Sequence, residues 1–532
     1  MRELTPLLLP ALLAAQTVGT APPADPDPAR AFFARPSVTE VRIDLTPEAR
    51  QALRDRPREY AAAALRIDGE KAAPPGAGVK LKGAAGSFQK IDEHPGFTVN
   101  LGKFGGAAML HGLKRFHLNN CAQDPSLLCE WLGNMIFAAA GYPAPRVAHA
   151  HVWLDGQDLG LYVLREGLDR QFLVRSFGDA HGNLYDGGFC QDIDSDLEKD
   201  AGDGPDDHED LHRLRELCRG FDAERTTRLE RAVDVPAFVD FMALEAMVGH
   251  WDGYCQNRNN FRLWLPTAPG AAKFLPHGMD QIFGDAEAAV LDHPPALVAS
   301  AVAQTPAWRK LYRDRLAQLL PLFAPAKWRT PLAARAAMLE KELARTDKAR
   351  AAEFATAAAD LAARVEARHR FLQKAVRASE PEAIAFRGDE AVRLTKWNAA
   401  GETDGIALKK RSFQDTPALQ LAIDGRGADA RLGSFRTTVL LRKGRYQLTG
   451  SARCAGVEGL RNDDGSLHGG VRLAVGDGAS EKLYGDRDWT ALACEFEVAE
   501  FQRVVELRLE LKAHAGTAWF RVDSLRLRRL GD

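Results

Sequence analysis

The chain lacks charge imbalance, paired cysteine motifs and long apolar runs, and each absence excludes something. Its 532 residues carry 70 Lys and Arg against 72 Asp and Glu, a net charge of −2. No global field therefore draws nucleic acid or an anionic membrane. Past the N-terminus no apolar stretch approaches the roughly 18–20 residues that span a bilayer, so no transmembrane segment is expected. Seven cysteines are too few for a disulfide-dense scaffold. Being odd in number, they leave at least one unpaired, and with no CxxC pair a structural zinc site is not expected. Internal repeats are also missing. The remaining composition, 45% hydrophobic and 27% charged, is that of a soluble globular chain.

The order of patterns divides the chain. Met1-Arg2-Glu3, the Leu- and Pro-rich residues 7–15 and the small Gly19, Thr20 and Ala21 read as a signal peptide at 1–21. Residues 22–36 read as a Pro/Ala/Asp-rich linker. From 37 to 166 short strands dominate, with one helix opened by Asp124-Pro125-Ser126 before the last two strands. From 167 to 376 the spacing is mainly helical, broken by a loop–strand–strand–loop at 251–285. Regularly spaced short strands with turn signals over 385–532 argue a β-sandwich. In an exported protein Cys454 and Cys494 would be candidates for a bridge, and the other five cysteines would be buried thiols.

The chemistry concentrates at 250–284. Asp252 and Asn257 are separated by four residues, the spacing of a loop in which Asp accepts a hydroxyl proton and Asn binds Mg²⁺. Asn259 and Asn260 crowd the same loop and are alternative ligands. A hairpin, Phe261–Trp264 and Lys273–Leu275, then leads to Asp280 ahead of Phe283-Gly284, in the place of a second metal ligand. Taken alone, the Asp252 pattern reads as a hydrogen-bonded turn; the hairpin and Asp280 turn it into an active-site reading.

Gly83-Ala84-Ala85-Gly86-Ser87 is a loop that arches over phosphates or is an ordinary hairpin turn; no GKS or GKT follows it, so it is not a Walker loop. Lys82 and Lys114 are both candidates for a phosphate-pairing lysine, and spacing does not choose between them. Glu130, on the inserted helix, partners one of them or is an exposed helix Glu. Glu166, at the end of a strand, faces a nucleotide or bridges two halves of the fold. The acidic stretch Asp192 to Asp207 has Leu197 where an EF-hand needs Gly, and reads as a solvated loop, with a metal or basic-substrate site as the alternative.

These segments resemble the CotH kinase family of atypical secretory kinases related to a spore-coat protein. The resemblance is carried by Val79-Lys80-Leu81-Lys82-Gly83, His117-Leu118-Asn119-Asn120 with Asp124-Pro125, Gly160–Glu166 and Gly182–Tyr185. Most specific are His250-Trp251-Asp252-Gly253-Tyr254 with Asn257–Asn260, and His277–Asp280 with Phe283-Gly284. It implies an α+β, bilobal protein-kinase-like fold, ATP with Mg²⁺ or Mn²⁺, and phosphorylation of Ser or Thr in secreted, periplasmic or envelope proteins. Asp252 would be the catalytic carboxylate, with Asp280 and Asn257 on the metal. Lys82, Gly83, Gly86, Lys114 and Glu166 are the nucleotide-binding candidates. One departure stands out: the phosphate loop reads Lys-Gly-Ala-Ala-Gly where many members carry Arg-Gly-Asn-Ser-Ser. The C-terminal region resembles jelly-roll carbohydrate-binding modules, with Trp397, Trp489 and Trp519 as candidate sugar platforms. The alternative function is a catalytically inactive coat or surface protein that binds glycan through that region.

Overall fold

A computed structural model describes residues 27–531 apart from 73–75, 106–108, 219–223, 268–270, 289, 291–293, 379–383, 389, 401–404, 426–430 and 462–466. The expected signal peptide lies outside the described residues. The molecule is mixed α+β.

Eight strands build the first sheet: β1 (Thr39–Leu45), β2 (Ala61–Ile67), β3 (Glu70–Lys71), β4 (Ala77–Lys82), β5 (Gly96–Asn100), β6 (Arg115–Asn119), β7 (Val147–Leu154) and β8 (Gln157–Glu166). Period-two patterning sets their faces: Val41 and Ile43 of β1 are buried while Arg42 between them is only partly covered. The order is β1-β7-β8-β6-β5-β4-β2-β3, and β1 also pairs with β2, so the sheet closes on itself. Closure leaves β1 no free edge. Its apolar interior also takes in α1 (Arg30–Phe33) and α2 (Pro47–Asp55). Residues 27–36 are thus not a free linker, because Ala29 and Phe32 are buried in this core.

Helix α3 (Cys129–Ala139) precedes β7. It begins later than the sequence suggests. Asp124 caps it from a preceding turn, its Oδ2 accepting from the Cys129 amide at 2.9 Å and its Oδ1 from Ser126. Next come α4 (Arg170–Phe177), α5 (Glu209–Cys218), α6 (Arg225–Ala232), α7 (Val235–Val248), α8 (Tyr254–Asn257), α9 (Leu297–Gln304), α10 (Pro306–Leu319), α11 (Pro325–Thr346) and α12 (Lys348–Ala375). The region read as mainly helical also holds β9 (Gly182–Asp186) and β10 (Glu198–Gly202). With β11 (Phe261–Pro266) and β12 (Lys273–Pro276) they form a second sheet in the order β10-β9-β11-β12. β9 is covered on both faces and shows no alternation to read, and β10 is nowhere fully buried, so it has no apolar face to mark it.

Helix α7 is apolar on nearly every side and lies in the largest core, together with α3, β11 and β12. Asp234 caps its start, accepting from the Ala237 amide at 3.1 Å, and Gly249 ends it at φ 64°. The loop that follows, 250–260, is therefore held at the end of a fixed rod.

The last region is all β. Two strands, Arg431–Val457 and Gly485–Ala513, pair antiparallel through several register shifts and span what the sequence suggests as separate strands. One apolar cluster, including Trp397, Phe435, Leu448, Leu509 and Phe520, fills this region. The Cys454–Cys494 bridge does not form: Cys454 lies opposite Arg487 and Cys494 opposite Leu448, and both thiols are free.

Candidate active site

Asp252 lies between α7 and α8, and three amides converge on it. Its Oδ1 accepts from Asn257 Nδ2 at 2.5 Å, and its Oδ2 from Asn260 Nδ2 at 2.7 Å and Asn259 Nδ2 at 3.1 Å. The Asn260 amide also reaches the Asp252 carbonyl at 3.1 Å. The turn reading and the site reading thus meet in one structure. Arg258 and Asn260 take left-handed backbone, φ 54° and 45°, a conformation Asn tolerates better than most residues. Each asparagine donates through nitrogen, so the Asn257 side-chain oxygen is left for another partner.

A second group assembles from the barrel, α3 and the segment after β12. Lys82, at the end of β4, donates to Asn119 Oδ1, and the Asn119 amide donates to Glu130 Oε2. Glu130 is 3% exposed, a correction to its reading as an exposed helix residue; its Oε1 lies 3.4 Å from the buried Arg165 Nε. Arg165 donates to His277 Nε2 at 2.7 Å, and the His277 carbonyl is 3.0 Å from His250 Nε2. A chain of contacts therefore runs from Lys82 to the residue two before Asp252.

Electrostatics mark the same group. Burial lowers the Lys82 pKa to about 8, repulsion from Arg165 adds to this, and Glu130 and Asp280 oppose it. Burial raises the Asp280 carboxyl to about 6, with Glu130 pushing the same way and Lys82 opposing. Burial also holds His250 below the ordinary histidine range, and His277 well below it, where Arg165 adds its repulsion. Clustered perturbed groups are a signature of function. Of these four, Asp280 opens on a cleft of about 440 Å³, which it lines with Gln123, Asp124, Trp251, Gln281 and Arg364.

Other candidates lie elsewhere. Lys114 is exposed just before β6 and stands outside this network. Glu166 is buried in ion pairs, with Arg146 at 2.7 Å and Arg175 at 2.8 Å. It ties β8 to α4, the bridging alternative of the two. The loop after β4 has Gly83 at φ 114° and Gly86 at φ 81°. Its Ala84 amide is taken by Ser87 Oγ, and the Ser87 and Phe88 amides by the Ala84 carbonyl. Among the described residues the Ala85 and Gly86 amides have no protein partner. The acidic stretch is not one solvated loop. Asp192 is buried, accepting from Tyr254 Oη at 2.9 Å and the Leu297 amide at 2.8 Å, while Asp200 pairs with Arg115 at 2.7 Å.

Among the described residues no three His, Cys, Asp or Glu side chains converge as a metal cluster. The residues still suit Mg²⁺ or Mn²⁺. Mg²⁺ is commonly held by one or two carboxylates, with phosphate and water completing its shell. Asp280 is a half-buried carboxylate raised first by burial and then by the neighbouring Glu130, a group that a cation would relieve.

Sequence reasoning missed three parts of the site. Arg165 and His277 stand inside the motifs Gly160–Glu166 and His277–Asp280, where nothing local marks their mutual contact. Glu245, buried and raised to about 7 by burial, accepts from the Tyr254 and Cys255 amides at 3.1 and 3.0 Å and so starts α8. Arg368 of α12 donates to the Ala246 and Ala288 carbonyls, each at 2.5 Å. It ties the end of α7 to the chain beyond Asp280. The signal was present: Arg368 falls within the buried stripe Leu361, Val365 and Leu372, where a charge is out of place.

Residues 86–374, more than half of the chain, match the family model described as CotH kinase protein. The inner spore coat protein H of Bacillus subtilis (strain 168) is 22% identical over 193 residues, 32% of this chain and 51% of its own. The chain thus spans about half the length of that curated relative. Among solved structures, the Helicobacter pylori proinflammatory kinase CtkA aligns at 10% identity over 49% of this chain and 91% of its own, with a TM-score of 0.25. TmCBM61 in complex with β-1,4-galactotriose aligns at 13% identity over 26% of this chain and 90% of its own, with a TM-score of 0.18.

Proposed function

The chain belongs to the CotH kinase protein family, and on that footing we propose that it is an exported atypical protein kinase. It would transfer the γ-phosphoryl group of ATP to a Ser or Thr hydroxyl of a secreted or envelope protein. In this reading the closed barrel and the helical region are two lobes, and ATP lies in the cleft between them. The observation that carries the reading is the Asp252 carboxylate, fixed by three asparagine amides.

A carboxylate so held is positioned to take the hydroxyl proton as the new O–P bond forms and the β–γ bridge breaks. Lys82 would supply a charge to the phosphates, and Glu130 fixes its position through Asn119. The Ala85 and Gly86 amides in the Gly83–Ser87 loop would add backbone donors. Asp280 and the Asn257 side-chain oxygen would hold Mg²⁺ or Mn²⁺, which when bound neutralises charge on the phosphates. Lys114 and Glu166 take no direct part in this scheme.

The test is transfer of label from γ-labelled ATP to a panel of exported proteins with Mg²⁺ or Mn²⁺. Transfer by the wild type and none by Asp252→Ala supports the proposal. No transfer to any substrate, with no nucleotide binding, sinks it.

The second reading is a kinase-like coat or surface protein without transfer activity that binds glycan through its C-terminal region. One observation favours it. Trp519 lies 5.2 Å and Trp489 6.2 Å from Phe413, ring centre to ring centre, and the Arg453 guanidinium sits 3.9 Å over Phe413. Trp397, by contrast, is 2% exposed and belongs to the core. Polysaccharide binding by the full chain that Trp519→Ala abolishes, with no ATP-induced thermal shift, would favour this reading.

A further inference from the structure

Beside α3 lies a second cleft, about 610 Å³, bounded by Trp131, Asn134 and Met135 of α3, Phe33 of α1, Arg175 of α4 and Arg335 of α11. Its wall holds buried polar atoms that the protein does not satisfy. Asn134 is 4% exposed; its Nδ2 donates to the Glu130 carbonyl at 2.8 Å, but its Oδ1 meets no donor. Arg335 Nη1, Arg175 Nε and Ser176 Oγ are also buried without an acceptor. Four unpaired polar atoms around one cleft are unusual, because buried polar groups in native proteins are nearly always hydrogen-bonded.

The charge of the wall is one-sided. Arg30, Arg146, Arg175 and Arg335 line it, against the single carboxylate of Asp27. Glu166, behind the wall, answers Arg146 and Arg175. Arg335 has no such answer: its guanidinium lies 5.2 Å over the Trp131 ring, and among the described residues no carboxylate is within ion-pair distance of it. A guanidinium keeps its charge at any ordinary pH. The remaining surface is apolar and aromatic, from Phe33, Trp131 and Met135.

We propose that this cleft binds a small organic acid, its acid group taken by Arg335, Arg175 and Ser176 and its apolar body lying against Trp131 and Phe33. Binding would bear on α3, which also carries Glu130 and packs its Gly133 against Met279 and Ile282 on either side of Asp280. A Cβ at Gly133 would come within 2.8 Å of Ile282 and 3.1 Å of Met279, so a shift of α3 reaches the segment that carries Asp280. This consequence for transfer rests on the kinase reading; the binding itself does not.

The experiment titrates phenylacetate, benzylphosphonate, benzyl alcohol and benzylamine into the full chain by calorimetry and thermal shift. One or both acids are expected to bind in the millimolar range or tighter, at least tenfold better than the alcohol and the amine, and their ranking separates a carboxylate from a phosphate preference. Arg335→Met, which keeps a side chain over Trp131, should weaken binding at least tenfold. Met135→Trp, at an exposed position, should block the mouth. Binding of the alcohol as tight as that of the acids overturns the proposal, as does failure of both acids to bind or acid binding unchanged in both variants. An acid that binds without altering ATP affinity leaves the site standing and removes only its link to transfer.

Discussion

Gly278 sits against Asn260 so closely that a Cβ on Gly278 would lie 2.3 Å from Asn260 Oδ1, and its backbone is left-handed at φ 56°. Asn260 donates to Asp252, and Gly278 stands two residues before Asp280. The contact therefore sets the spacing between the loops that carry the two aspartates.

Gly278→Ala should separate them. The left-handed backbone alone costs an alanine on the order of 1 kcal/mol, and the clash with Asn260 adds to it. Thermal unfolding should show a drop of a few degrees while phosphate transfer falls far more. Adding Asn260→Ala should restore part of the lost stability, since the two changes share one contact. Additive losses would show that the contact does not couple the loops.

How far the sequence was legible follows from the kind of signal each residue leaves. Strands with one covered face, such as Val41 to Leu45, are legible by alternation, and α7 by the apolar density of residues 236–249; its caps, Asp234 and Gly249, emerge only in the structure. The Asp252 and Asp280 loops were legible as motifs joined by a hairpin. What escaped notice depends on distant partners. Glu130 reads as an ordinary helix glutamate until Asn119 and Arg165 close on it. Lys82 and Lys114 are equivalent in sequence, and only the barrel register puts Lys82 beside Asn119 and leaves Lys114 in solvent. Closure of the barrel, β1 pairing with β7 and β2 at once, left no local mark.

Arg368 offers a test at a distance from the chemistry. Its guanidinium is fully buried and holds the Ala246 and Ala288 carbonyls. Arg368→Met keeps the bulk but strips both carbonyls of a charged donor, which should cost about 2–4 kcal/mol. Denaturant unfolding should show the loss. The Lys variant, which can reach one carbonyl but not span both, should fall between. Equal stability of Met and wild type would mean that water replaces the guanidinium without cost.

The free thiols are checked directly. None of the seven cysteines is joined in a disulfide, and burial pushes the Cys454 and Cys494 thiols above the ordinary range. Native protein should react slowly with a thiol reagent. Denatured protein, never exposed to reductant, should titrate seven thiols. Five would show that two of the seven have joined; if peptide mapping found them to be Cys454 and Cys494, strands Arg431–Val457 and Gly485–Ala513 would have to leave their present register.

Asp280 separates stability from function by pH. In the unfolded chain its carboxyl titrates near the ordinary 3.8, but in the fold burial and Glu130 raise it to about 6. Between those values the folded protein binds more protons, so stability falls as pH rises from about 4 to 6 and stays lowered above. Asp280→Asn removes the charge while keeping the shape. At pH 7 it should be more stable than wild type by on the order of 1–2 kcal/mol, less than the full shift implies, because the group is partly open to water. At pH 4 the two proteins should unfold alike. The same variant should lose Mg²⁺-dependent nucleotide binding. A residue present only to support the fold would show the opposite sign, with the variant weaker at neutral pH, and that result would remove Asp280 from the proposed metal site.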